Sequence, residues 1–117
     1  MPSQSSGSVT SVAQTWTPDI IVSTGELVSA EARTICGIAA LRITARKSTA
    51  TANGANVFVG TLVDHTPAQQ STGSGYNAGN SLGGNIDTNG QITIRNTGAT
   101  SISANNQVIV TFLYIEA

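Results

Sequence analysis

The chain has 117 residues, a single cysteine and a formal net charge of −1. That length suits one domain, large enough to bury a core without a disulfide or a metal. Charged residues make up 9% against about 25% in ordinary globular chains, which excludes the basic footprint of a nucleic-acid binder and the polybasic patch of a membrane-surface protein.

Residues 1–15 are rich in Ser, Thr and Gln and carry no charge. They read as an extended arm that cannot fold alone and that attaches the chain to a particle through Val9, Val12 and Trp16. The arm has neither the positive n-region nor the apolar h-region of a signal peptide. Trp16 and Pro18 open a domain expected over 16–117. Ile20, Ile21 and Val22 predict a short strand, and Thr24-Gly25-Glu26 a turn. Residues 26–32 are the one segment with helical propensity, too short to hold a helix unaided.

The run Ile35-Cys36-Gly37-Ile38 is apolar, and Cys36 is expected there as a small buried hydrophobe. Residues 38–47 then alternate, with Leu41, Ile43 and Ala45 on one face and Arg42, Thr44 and Arg46 on the other, the pattern of a half-buried strand. Asn53-Gly54 predicts a hairpin into a strand over 56–63. Arg42, Arg46 and Lys47 mark a basic face, solvated or set against acidic groups of a larger scaffold.

Residues 64–84 read as a long Gly/Ser/Asn loop. His65, Tyr76 and Asn77 within it are candidate contacts for a partner or a glycan. Asn89-Gly90, between two short apolar runs, predicts a hairpin with a type I′ turn. Asn105-Asn106 predicts the turn into the final strand, 108–115. That strand is apolar at nearly every position, so both of its faces need cover, and Phe112 is expected in the core. Roughly seven or eight strands with frequent turns make the fold class all-β: a single antiparallel β-sandwich or jelly roll with an extended N-terminal arm.

No chemistry stands out. His65 has no distinct nucleophile beside it, and Cys36 lacks the electropositive, exposed setting of a reactive thiol. Asp87-Thr88-Asn89-Gly90 resembles the opening of a calcium loop without its later ligands. No enzyme activity, cofactor or metal is expected.

Five segments carry a resemblance: Trp16-Thr-Pro-Asp19, Arg33-Thr-Ile-Cys-Gly37, the run from Val57 to Ala68, Asp87-Thr-Asn-Gly-Gln-Ile-Thr-Ile94 and Phe112-Leu-Tyr-Ile115. Their order resembles the C-terminal β-sandwich head domains of tailed-bacteriophage receptor-binding and tail-fibre proteins, and related decoration proteins of the phage surface. Thr66-Pro67 stands where that family has Arg-Pro. The resemblance implies a virion surface protein, made in the host cytoplasm, that forms a homotrimer. With only about fifteen residues ahead of the domain, a capsid decoration protein bound to the major capsid protein or another virion protein is expected. The alternative is a receptor-binding module for a host surface saccharide. Nucleic acid and membrane are not expected partners.

Overall fold

The computed structural model describes residues 12–77 and 80–117. Among them are nine strands and no helix: β1 Gln14–Trp16, β2 Ile20–Thr24, β3 Glu26–Ile35, β4 Ile38–Arg46, β5 Asn56–Leu62, β6 Ser71–Asn77, β7 Asn80–Ile86, β8 Gln91–Asn96 and β9 Val108–Ile115. They form one antiparallel sheet in the order β1-β3-β4-β9-β6-β7-β8-β5-β2. β2 and β3 lie near opposite ends of that order, yet Gly25 alone separates them in the chain. The sheet therefore curls into a half-barrel, and the segment from Ile20 to Ile35 is one bent strand that pairs with β5 before the bend and with β4 after it. A Cβ on Gly25 would lie 2.4 Å from the Val57 carbonyl oxygen and 3.1 Å from that of Arg46, so the corner admits no side chain.

Alternation sets the core. Ala39, Leu41, Ile43 and Ala45 of β4 point inward, as do Val108, Val110, Phe112 and Tyr114 of β9. Ile92 and Ile94 of β8 and Leu82 and Ile86 of β7 face them across the curl. A register shift between Asn56 and Phe58 turns both Val57 and Phe58 inward, as a β-bulge does. The β4–β5 and β8–β9 connections are tied together by Asn96, which is fully buried. Its Nδ2 donates to the carbonyls of Thr51 and Thr100 at 3.0 and 2.9 Å, and its Oδ1 accepts from the Gly98 N–H at 2.9 Å.

Several expectations are corrected. Residues 26–32 are strand, because pairing with β4 along the whole of β3 outweighs local helix propensity. Thr24-Gly25-Glu26 is a corner within a bent strand, not a turn. Asn53-Gly54 does turn the chain, with the Ala55 N–H on the Ala52 carbonyl at 3.0 Å, but β4 and β5 are not neighbours and no hairpin forms there. Residues 64–84 are largely structured, since β6 and β7 pair along their lengths.

Cys36 is exposed, not buried. It forms the two-residue link between β3 and β4 with Gly37, and both have positive φ, 51° and 77°, the requirement of a type I′ hairpin. The Asn89-Gly90 hairpin is present between β7 and β8, with a different turn. Only Gly90 has positive φ, and its N–H closes onto the Asp87 carbonyl at 2.9 Å. The last strand is covered on one face alone: Ile109, Leu113 and Ile115 are exposed on the other.

Candidate functional site

Two features stand out, one at the end of the core-facing side of the curl, where Trp16 and Tyr114 pack against the core, and one on its outer face. The first is a clasp that gathers residues from four parts of the chain. Trp16 of β1 stacks on His65, from the loop after β5, with ring centroids 3.9 Å apart and planes 17° from parallel. The Trp16 indole N–H donates to Thr34 Oγ1 at 2.9 Å. Thr34 in turn donates to Glu116 Oε2, and His65 Nδ1 lies 3.1 Å from that same oxygen. The Tyr114 hydroxyl donates to the His65 carbonyl at 2.8 Å. His65 holds this place with φ at 55°.

Thr34 and His65 thus converge on one carboxylate, so the acid stands between hydroxyl and imidazole. A catalytic triad needs the imidazole between acid and nucleophile. What the cluster does is pin the β1 edge to the end of β9 and the loop after β5.

Burial pushes the Tyr114 phenol well above its usual range, and the Glu116 and Asp64 carboxylates add to the shift. The folded-state value exceeds the unfolded one, so this stabilising contribution is complete below the ordinary phenol pKa of about 10. It is lost as pH rises from there toward the folded value. The expected result is an alkaline stability slope up to roughly 1.4 kcal/mol per pH unit steeper in the wild type than in Tyr114→Phe. Urea midpoints taken across that range check it; equal slopes would show the phenol ionising freely in the folded chain.

The second feature is a groove of about 590 Å³ over the outer face of β1, β3, β4 and β9, with Glu31, Arg33, Ala40, Arg42 and Thr111 among its lining residues. The hairpin register sets Arg42 opposite Glu31, and Ala40 opposite Arg33. Arg33 and Arg42 are exposed. Among the described residues the ion pairs are Arg46–Glu26 and His65–Glu116, so neither guanidinium in the groove is paired.

The expected basic face is therefore dispersed. Arg46 Nε donates to Glu26 Oε1 at 2.7 Å, and Lys47 Nζ reaches the Asn56 carbonyl at 3.4 Å. Arg42 alone of the three stays open, and its companion is Arg33. Arg33 becomes visible in the sequence only once Cys36-Gly37 is read as a two-residue turn, which fixes the register.

The three candidate contacts of the 64–84 segment do not meet either. His65 sits at the Tyr114 end of β9. Tyr76 pairs with Ile109 at the other end, where Asn77 Nδ2 donates to the Gln107 carbonyl at 2.5 Å. At about 3.4 Å per residue the two groups are roughly 20 Å apart. Of the proposed attachment residues, Trp16 is half-buried in the clasp, Val12 is exposed, and Val9 lies outside the described residues.

Asp87 caps its own turn, its Oδ1 accepting from the Asn89 and Gln91 N–H groups at 2.9 and 3.0 Å. Among the described residues no three His, Cys, Asp or Glu side chains converge as metal ligands. No protein-family model and no curated protein matches the chain.

Proposed function

We propose that the chain is a non-enzymatic structural protein of a bacteriophage virion, a decoration protein that binds the particle surface as a homotrimer, its curled sheet working as a two-layered jelly roll. One observation carries this reading. Ile35, Ile38 and Ile115 form a cross-strand row on the outer face of β3, β4 and β9, and Leu113 stands beside them. All four are between 40% and 66% exposed. Removing such side chains from water is worth roughly 1 kcal/mol each at that exposure, and a chain with so few charges has none in this row to strand. A contiguous apolar patch of this kind marks an association surface, and three copies meeting there give a closed assembly.

The path of the chain supports the attachment role of the arm. Gln14 pairs with Thr34, so the chain enters the sheet at the Ile35 end, beside the patch. Leu113→Glu and Ile115→Glu are expected to convert trimers to monomers in light scattering while the β-sheet circular dichroism persists. A wild-type chain that stays monomeric at micromolar concentration, both free and when recovered from purified virions, overturns the trimer. Deleting residues 2–11 is expected to leave the trimer intact and to abolish its binding to virions stripped of this protein.

The groove favours a second reading, a receptor-binding module that recognises a host surface saccharide. It holds open cations and hydroxyls in one place, which a purely structural surface does not require.

A further inference from the structure

We propose that the groove over β3, β4 and β9 binds a carboxylated saccharide, with the guanidinium groups of Arg33 and Arg42 on its carboxylate. The inference names a ligand class for the second reading above and rests on it.

The chain has five basic residues, and two of them line this one groove. Their register positions are diagonal across the β3–β4 pair, which places their roots about 7–8 Å apart. Ala40 lies directly across from Arg33, and its methyl group leaves the space over that position open. Glu31 is directly opposite Arg42 yet makes no ion pair with it, whereas Glu26 and Arg46, opposed in the same way on the same two strands, do. The two forks are thus presented outward, and a guanidinium fork matches a carboxylate through two parallel hydrogen bonds.

The rest of the lining selects among carboxylates. Thr15, Thr17 and Thr111 supply hydroxyls that both donate and accept. The Glu31 carboxylate accepts hydrogen bonds and repels a second negative charge, which disfavours a phosphodiester chain or a run of acidic side chains. One carboxylate flanked by hydroxyls on a ring, as in a uronic or sialic acid, satisfies all of these groups together. The volume is within the range of small-ligand sites.

The test titrates the ¹⁵N-labelled full chain with sodium galacturonate and with 3′-sialyllactose, set against galacturonate methyl ester and lactose. At least one acid is expected to shift the amides of Glu31, Arg33, Ala40, Arg42 and Thr111, with its neutral counterpart binding about tenfold or more weakly, the equivalent of one charge-assisted contact. Arg33→Gln and Arg42→Gln should each weaken the acid about tenfold while the spectrum stays dispersed, and Arg42→Lys should recover part of the loss. Equal binding of acid and neutral sugar, equal binding of triglutamate, or no shift with either acid at several times a millimolar Kd overturns the proposal. Shifts confined to another surface overturn the groove while leaving saccharide recognition as such standing. The acid-against-neutral comparison on the wild type decides the matter even if an arginine variant fails to fold.

Discussion

Phe112→Ala is expected to lower the unfolding free energy by about 3–5 kcal/mol, a large share of the roughly 5–15 kcal/mol typical of a domain. The ring is fully buried in β9, the central strand between β4 and β6. It lies so close to Gly73 and Gly84 that a Cβ on either would stand 2.7 to 2.8 Å from its carbons. Those two neighbours have no side chain that can swing into the space the ring leaves, so the cavity persists and the loss belongs in the upper part of the range. Urea denaturation checks this. A loss below about 1 kcal/mol would mean that the strand is shifted by one residue and the ring faces out.

Gly75→Ala is expected to be the other severe change. A Cβ there would lie 2.0 Å from the Ile109 carbonyl oxygen and 3.0 Å from Val110 Cγ2. The first of these is main chain and cannot rotate away, so β6 must move off β9, and the two strands share only four register pairs. Overpacking of this kind costs about 1–3 kcal/mol, roughly 5–15 °C in Tm for a domain of this size. Gly83→Ala supplies the control. Its Cβ would meet only Thr97 Cγ2 at 3.2 Å, a movable methyl on the surface, and Ala reduces the entropy of the unfolded chain. It should change stability by no more than about 0.5 kcal/mol. Equal effects of the two substitutions in thermal melts would show that β6 does not pack against β9 in this register.

What could be read in advance was what local pattern encodes. The alternation of Leu41, Ile43 and Ala45 places them on the inner face of β4, and Asn89-Gly90 marks a hairpin because a glycine is needed there whichever turn forms. β6 and β7 were illegible for the opposite reason. Their inward positions include Gly73, Gly75 and Gly84, so the apolar partner that makes them strands is Phe112 or Val110, dozens of residues away. The Cys36-Gly37 turn is hidden in the sequence because an apolar run flanks it on both sides and its signal is conformational.

The candidate site shows the same division. Arg42 was visible as an outward residue of an alternating strand. Arg33 depended on a hairpin register, the loss of Arg46 to Glu26 on cross-strand geometry, and the stacking of His65 on Trp16 on a contact between segments far apart in sequence.

The position of β9 has a consequence for biogenesis. The ribosome delivers this strand last among the nine, yet it is the one that joins β4 to β6. Until Val108–Ile115 emerges, the two groups of strands are joined only through the bent strand from Ile20 to Ile35, and β4 and β6 each present an open hydrogen-bonding edge. Such edges pair readily with other chains, and non-local pairing is slow to form. The sheet therefore closes only after this strand has left the exit tunnel, and the two edges it joins are open to wrong pairing until then.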